Sequence, residues 1–477
     1  MKRYLILASI AAAFIATGCK DFLTEEPELS QSDKLTLSTY KGLDNSTAGA
    51  YAPLASLNWY GAEFILLNEL KTSNGKKYID SEFDTGRLNE WYNLTYTKTA
   101  TAALWGTAYY LISATNNVIA NLDGKGEPQD LANLKAECLF LRALAHFDLV
   151  RTYAQPYCYT DDASHPGVPV IITPQDPSNK PARETVAKVY EQIVADLTEA
   201  ESIIDPAYRR TGVKDPAAAV SIYAIQALLS RVYLYMGLWK ESADYATKVI
   251  DSQKYQMWTA AQMNASACFK EDVRKSGEVI FEVYSGSGES YGGGNTGICS
   301  MTSKNKYGDA GAAKDLMDIY ESGDVRGTLF QSETDGKSGQ TVYWTSKYIG
   351  KGLANPDYSN VIVLRLSEMY LNRAEATIKG SLSDYNAVED LKAIADNRGA
   401  TAQPATLAGV YLERQKELAW EAHYWFDLGR TKRNMTRTDF VGDPSGKDIE
   451  WGTFKWAMPI PEREHLANGN LEHNPGY

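Results

Sequence analysis

The sequence predicts a mainly α-helical protein in which paired helices form a scaffold and long loops are inserted between the pairs. Apolar residues recur at the spacing of one helix face, as at Val189, Ile193 and Leu197 within the stretch 187–204. Helix-stop residues such as Gly237 separate neighbouring helical stretches. Strand-like stretches are few and short, the clearest being 279–284 and 342–349.

The helical stretches form consecutive pairs. The predicted pairs are 104–119 with 131–153, 217–236 with 239–250, and 367–379 with 385–397, followed by a last long helix over 407–430. One helix of each pair carries an arginine inside a similar short motif: Phe140-Leu141-Arg142-Ala143, Leu229-Ser230-Arg231-Val232 and Leu371-Asn372-Arg373-Ala374. Stacked hairpins with small residues at close contacts resemble tetratricopeptide repeats, although these units are not tandem. We therefore expect a scaffold of divergent tetratricopeptide-like hairpins.

The N-terminus has the pattern of a bacterial lipoprotein signal. Lys2 and Arg3 precede an apolar run over 4–15, and small residues lead directly into Cys19. The apolar run is shorter than the roughly 20 residues needed to cross a bilayer. We therefore predict a signal peptide over 1–18 that is removed, lipidation of Cys19, a tether over 19–30 and a single helical domain over 31–477.

Composition narrows the class of partner. The formal net charge of −12 argues against nucleic acid or an anionic membrane surface as the main ligand. The 31 tyrosines and 10 tryptophans supply flat apolar rings with a polar edge, which suit both helix packing and stacking on sugars or peptide side chains. No zinc-protease, nucleophile-elbow or phosphate-loop motif is present, and the five histidines are scattered. The sequence therefore predicts no catalysis, no cofactor and no metal site.

Four further cysteines leave the disulfide pattern open. Cys138, Cys158, Cys268 and Cys299 lack the spacing of a zinc knuckle or redox pair. Bridges between Cys138 and Cys158, or between Cys268 and Cys299, are compatible with export, and the sequence does not choose between bridged and free forms.

Three long stretches rich in glycine, proline or polar residues are predicted to be loops. They cover 58–91, 157–181 and 285–307, and the last contains three consecutive glycines. The segment 333–336 has a weak likeness to a calcium loop but lacks its ligand pattern, and we interpret it as a turn. Since binding residues concentrate on loops carried by a rigid scaffold, these stretches are where a ligand is expected.

Short motifs along the whole mature chain resemble the SusD/RagB family of outer-membrane lipoproteins. They are Cys19-Lys20-Asp21-Phe22-Leu23, Asn116-Asn117-Val118-Ile119, His146-Phe147-Asp148-Leu149, Arg365-Leu366-Ser367-Glu368-Met369-Tyr370-Leu371, Trp425-Phe426-Asp427-Leu428-Gly429-Arg430 and Asn474-Pro475-Gly476-Tyr477. The resemblance implies a lipid-anchored protein on the outer face of the outer membrane, beside a SusC-like TonB-dependent transporter. It also implies capture of oligosaccharides or, in some members, peptides, without catalysis.

The resemblance also directs attention to the loop before Trp105 and to the loop after Phe281. The ligand-binding candidates in these two loops are Asn74, Asp80, Arg87, Asn89, Trp91, Tyr92, Tyr284, Tyr291 and Asn295. The tryptophans at 105, 239, 420 and 425 lie in scaffold motifs and are interpreted as packing residues. Ion pairs of Arg430 with Asp427, and of Glu368 with Arg365, are expected to be structural.

The function expected from these observations is oligosaccharide capture for uptake by a SusC-like transporter. The first alternative keeps the fold and exchanges the sugar for a peptide. The second is a lipid-anchored glycosidase, and the third is a scaffold that binds no ligand of its own.

Overall fold

Helices dominate the computed structural model, which describes residues 33–176, 178–213, 215–264, 267–269, 277–286, 297–350 and 358–477. The helices are α1 (Asp33–Thr36), α2 (Tyr40–Gly49), α3 (Glu63–Leu70), α4 (Asn89–Tyr92), α5 (Leu104–Ile119), α6 (Pro128–Tyr153), α7 (Val186–Ile203), α8 (Ile222–Met236), α9 (Trp239–Asp251), α10 (Ala260–Asn264), α11 (Ile298–Met301), α12 (Lys314–Met317), α13 (Leu366–Gly380), α14 (Ala387–Arg398), α15 (Leu407–Glu417), α16 (Tyr424–Arg430) and α17 (Glu462–Ala467). Short 3₁₀ turns lie at Ala52–Ala55, Tyr157–Tyr159, Pro216–Ala218, Ala267–Phe269, Val325–Leu329, Pro444–Gly446 and Phe454–Trp456.

Eight short strands within the described residues pair two by two. They are β1 (Gly75–Lys77), β2 (Val279–Val283), β3 (Ala310–Ala312), β4 (Phe330–Thr334), β5 (Thr341–Thr345), β6 (Val361–Arg365), β7 (Met435–Thr436) and β8 (Asp448–Ile449). The antiparallel pairs are β1 with β3, β2 with β6, β4 with β5, and β7 with β8. The predicted mainly α-helical class with few strands is thus confirmed. Of the segment 333–336, Asp335 and Gly336 lie in the β4–β5 turn as expected, whereas Glu333 and Thr334 are the last residues of β4.

The long helices stack in chain order. Successive helices from α5 to α9 pack on one another, and α9 then packs on α13, which contacts α14 and α15. Local signals set the helix limits: the Ser221 side chain accepts from the backbone N–H of Ala224 to cap α8, and α8 ends at Gly237, whose φ of 75° favours glycine. Because α9 meets α13 directly, residues 252–365 form an insertion in an otherwise continuous stack.

The arginine of each shared motif links two packed helices. Arg142 of α6 pairs with Asp196 of α7 at 2.7 Å, and Arg373 of α13 pairs with Asp390 of α14 at 2.6 Å. Arg231 of α8 pairs with Glu368 of α13 at 2.6 Å. The expected pairing of Glu368 with Arg365 is therefore wrong, because the side chain of Glu368 is held by the neighbouring helix.

The predicted last helix over 407–430 is broken into α15 and α16. Trp420 and Ala422 adopt left-handed backbone angles, with φ of 64° and 61°. The break is stabilised by residues distant in sequence, since Glu69 accepts a hydrogen bond from the backbone N–H of Ala422 at 2.9 Å. The predicted pairing of Arg430 with Asp427 is confirmed at 2.7 Å.

Two residues at the break, Glu417 and Glu421, belong to a network of buried ion pairs. Arg365 at the end of β6 contacts Glu417 at 2.6 Å and Glu421 at 2.7 Å, and Glu417 also receives Arg326 and Arg398 at 3.0 and 2.8 Å. Although burial alone would raise it, these guanidinium groups hold the pKa of Glu417 well below its usual range. The network joins the insertion to the end of the helical stack.

Two expectations about loops and cysteines are settled by the fold. The stretch 58–91, expected to be a loop, includes α3, β1 and most of α4. The described residues of 157–181 have only the short turn at Tyr157–Tyr159 and a bridge from Pro166 to Thr185. Neither disulfide forms, and Cys138, Cys158, Cys268 and Cys299 are free thiols. Within the described ranges no helix has the length and apolar character required to cross a membrane.

Candidate functional site

A cavity of about 570 Å³ brings together three of the predicted binding residues, Arg87, Asn89 and Trp91. We call it the Trp91 cavity. Its other lining residues are Leu57, Asn58, Ala62, Glu63, Leu66, Gly86, Leu88, Glu90 and Met301. The volume lies within the range of small-molecule sites.

Backbone geometry places these side chains around the cavity. Gly86 has φ of 77°, and Leu88, which directly precedes α4, has φ of 62°. A left-handed leucine costs of order 1 kcal/mol and persists only where its surroundings impose it, often at binding sites. Met301 of α11 also lines the cavity. The position of α11 is fixed by the backbone N–H of Ile298, which donates to the Gly61 carbonyl at 2.9 Å.

The rings and cations of the cavity are held in place. The Arg87 guanidinium lies over the Tyr307 ring, 4.5 Å from its centre. The half-buried Trp91 ring lies 6.2 Å from the Tyr96 ring, tilted by 34°. The site therefore offers a supported indole and a planar cation at its rim.

Two residues that line the Trp91 cavity each have a buried oxygen without a hydrogen-bond partner among the described residues. The two oxygens are Oε2 of Glu63, at the start of α3, and Oδ1 of Asn89, at the start of α4. Burial raises the pKa of Glu63, and a backbone hydrogen bond from Ala103 opposes that shift. Because an unsatisfied buried polar atom costs about 1–3 kcal/mol, a ligand hydroxyl or amide that reached these shielded oxygens would relieve that cost.

The structure separates the remaining candidates from this cavity. Tyr92 is buried and its hydroxyl accepts from the backbone of Val441, while Asn74 is buried and donates to Glu69 at 3.2 Å. Asp80 is exposed at a turn. None of these three lines the Trp91 cavity.

The predicted residues of the loop after β2 fall elsewhere. Tyr284 lines a second cavity of about 690 Å³ beside Asp44 and Arg210, which we call the Arg210 cavity. Tyr291 and Asn295 lie outside the described residues. Tyr284 is therefore not combined with Trp91 in one site.

Sequence reasoning missed Glu63, Asn58 and Met301. Glu63 directly precedes the apolar run Phe64–Leu67, and that run reads as the start of a buried element. An acidic residue at such a position is compatible with a helix N-terminus and gives no indication of a cavity. Among the described residues, no group of three or more His, Cys, Asp or Glu could hold a metal ion.

Comparison with known families gives two matches. A SusD-like family, described as "Starch-binding associating with outer membrane", matches residues 21–234. A second, SusD/RagB and described as "SusD family", matches residues 332–477. No curated protein matches the sequence significantly.

Solved structures of similar fold align with almost the whole chain. A SusD superfamily protein from Bacteroides vulgatus is 28% identical with a TM-score of 0.82, covering 92% of this chain and 99% of its own. One from Bacteroides thetaiotaomicron is 27% identical with a TM-score of 0.82, covering 92% and 100%. A proposed sugar-binding protein from Bacteroides vulgatus is 25% identical with a TM-score of 0.81, covering 92% and 99%.

The two family matches cover both ends of the helical stack, and the aligned structures reproduce its arrangement from end to end. The chain therefore belongs to the SusD/RagB family.

Proposed function

We propose that this protein captures oligosaccharides at the cell surface in the Trp91 cavity and passes them, uncleaved, to a SusC-like TonB-dependent transporter in the outer membrane. The Trp91 cavity carries the proposal, because it combines an aromatic face, a guanidinium and two unpaired buried oxygens in one place. Sugar rings have apolar faces and hydroxyl edges, which match these groups.

The comparisons support the same ligand class. One matching family is described as starch-binding and associated with the outer membrane, and a solved relative is described as a proposed sugar-binding protein. The family match begins at residue 21, directly after the predicted lipid attachment site at Cys19 and its neighbour Lys20. A lipid on Cys19 anchors the protein, and its chain faces the exterior.

Location and partnership are tested in cells. Surface labelling of intact cells should modify this protein, Cys19→Ala should release it from the membrane, and pull-down of the wild type should recover a TonB-dependent transporter. A protein that is protected from labelling and purifies without a transporter would contradict the surface-delivery role.

The glycosidase alternative is tested by product analysis, because Glu63 and Glu90 both line the Trp91 cavity. Glycosidases use paired carboxylates on either side of the scissile bond. We expect purified protein incubated with maltoheptaose and a panel of neutral oligosaccharides to bind without releasing shorter products. If the protein released products and Glu63→Gln abolished that release, the non-catalytic role would be overturned. Binding of peptides but not of oligosaccharides would instead support the peptide alternative.

A further inference from the structure

We propose that a third cavity, beside Trp105, is a second and separate binding site for a neutral saccharide. The cavity has a volume of about 440 Å³ and lies between α5, the loop that follows Pro169, and the C-terminal α17. We call it the Trp105 cavity. It shares no lining residue with the Trp91 cavity.

Aromatic side chains from α5 line the Trp105 cavity. The rings of Trp105 and Tyr109 lie 5.0 Å apart, and Tyr153 packs edge-on against Trp105 at 5.1 Å. The Tyr109 hydroxyl donates to the Pro169 carbonyl at 2.8 Å, which fixes the ring against the loop. These contacts preorganise an aromatic surface, which lowers the entropic cost of binding.

Trp105 carries an unused hydrogen-bond donor. Its side chain is almost fully buried, with 3% exposure, and it lines this cavity. The backbone N–H of Trp105 donates to Tyr153, but its indole N–H has no hydrogen-bond partner among the described residues. This N–H is not one of the buried unpaired groups, so it is open to solvent, and a ligand hydroxyl oxygen in the cavity can accept from it.

The rim selects for neutral, hydroxyl-rich ligands. Short polar and amide side chains line it, and its charged members are the acids Asp176 and Glu464, with no lysine or arginine among the lining residues. The amide of Asn179 donates to Gln175 at 3.1 Å, which holds these two side chains together. Glu464 is paired with Arg463 at 3.1 Å, so Asp176 is the acid that disfavours phosphorylated or acidic ligands here. Saccharide hydroxyls can donate to the carboxylate and amide oxygens.

Apolar surface continues outside the cavity. Tyr110, next to Tyr109 on α5, is 67% exposed, and Leu466, next to Ala467 on α17, is 75% exposed. Exposed aromatic and aliphatic side chains beside a polar cavity provide faces for further sugar rings. This arrangement fits an oligosaccharide better than a single sugar.

Two sites on one chain would increase retention of a long glycan. When one end is bound, the other end is held at high effective concentration near the second site. The inference rests on the proposed function for its ligand class but on different residues.

Photoaffinity labelling separates the two sites. The full-length protein is irradiated with a diazirine derivative of maltoheptaose and with matching derivatives of other neutral oligosaccharides, and the labelled peptides are mapped by mass spectrometry. We expect labels within 105–113 or 464–471 as well as within 58–91. Two variants test the assignment: Trp105→Phe keeps an aromatic ring but removes the N–H, and Asn179→Ala changes the exposed rim. Each should lower labelling within 105–113 and 464–471 at least fivefold and leave labelling within 58–91 unchanged.

The outcomes distinguish this inference from the proposed function. Labels confined to 58–91 would overturn the second site and leave the proposed function standing. An absence of competable labels at both places would overturn both. Labelling of the Trp105 cavity by peptide probes and not by saccharides would overturn the ligand class. Circular dichroism of the two variants confirms that each is folded.

Discussion

Two glutamates, one buried and one half-buried, show how the helical stack and the Trp91 cavity differ. Glu417, at the end of α15, is satisfied by Arg326, Arg365 and Arg398. Glu63, at the start of α3, is half-buried and has one carboxylate oxygen without a hydrogen-bond partner among the described residues. Desolvation opposes the charge of both, and only Glu417 is compensated by ion pairs. The Glu417 carboxylate is thus paired inside the scaffold, whereas Glu63 keeps one oxygen unpaired among the described residues and lines a cavity.

The largest expected effect on stability comes from a substitution at Glu417, the glutamate that is paired with arginines. Glu417→Gln removes the common partner of three buried arginines while preserving side-chain shape. Removing one partner of a buried ion pair typically costs about 3–5 kcal/mol, so we expect a loss of that size in the free energy of unfolding. Chemical denaturation followed by circular dichroism measures it.

Asp396→Asn is the matched control for Glu417→Gln. It removes an exposed ion pair of α14, in which Lys392 is the partner, and we expect no measurable change in stability. Equal losses in the two variants would contradict the structural role of the Glu417 network.

Lowering the pH should destabilise the scaffold at the buried His146. Burial, assisted by the charge of Arg142, lowers the pKa of His146 to about 3 from 6.5. The neutral ring contacts the Arg142 carbonyl at 3.0 Å and the backbone of Ile171 at 3.3 Å. Between pH 6.5 and about 3 the unfolded chain binds one more proton at this residue, so stability falls as pH falls, by about 1.4 kcal/mol per pH unit.

The His146 contribution is isolated by comparing two pH profiles. Unfolding free energy of wild type and of His146→Gln is measured across this range. Burial also lowers the pKa of His423, and that contribution is common to both proteins. The wild-type curve should be steeper by the stated slope. Parallel curves would show that His146 is not held neutral by the fold.

We expect Glu63→Gln to increase the free energy of unfolding at pH 7 and to weaken oligosaccharide binding. Since burial raises the pKa of Glu63 above its unfolded value of 4.5, its stabilising contribution is complete below pH 4.5 and is lost as pH rises through the folded pKa. At pH 7 the neutral amide should therefore gain up to about 1 kcal/mol of stability. Oligosaccharide affinity should fall in the same variant, and this gain should vanish near pH 4.

Asn68→Asp is a useful counterpart to Glu63→Gln, since Asn68 is buried on the same helix but does not line the Trp91 cavity. It places an acid in the scaffold and should lower stability. If Glu63→Gln lowered stability at pH 7, the carboxylate would have a structural partner and the comparison would fail.

Sequence periodicity predicted most of the scaffold, because helix faces repeat locally. The predicted limits 104–119 coincide with α5, and 239–250 differs from α9 by one residue. The break between α15 and α16 was missed because it depends on Glu69, which lies more than 300 positions earlier in the chain. Local propensity contains no record of such a contact.

The Trp91 cavity was only partly predictable for a related reason. The sequence indicates Arg87, Asn89 and Trp91 as ligand-binding candidates because they lie in one segment. Tyr92 and Asn74 lie in the same segment, but their side chains are buried away from the cavity. Glu63 joins the cavity because α3 packs near α4, and its position before an apolar run gave no functional signal. Which residues of a loop face a ligand is decided by packing between elements.

The most direct test of the central claim is calorimetric titration of the neutral oligosaccharide that binds the wild-type protein most tightly, into wild type, Trp91→Ala and Trp239→Ala. Trp239 is also half-buried but lines none of the three cavities. Loss of one stacked ring is worth about 1 kcal/mol, so Trp91→Ala should weaken binding roughly fivefold while Trp239→Ala leaves it unchanged. Equal affinity in all three proteins would contradict oligosaccharide capture at the Trp91 cavity.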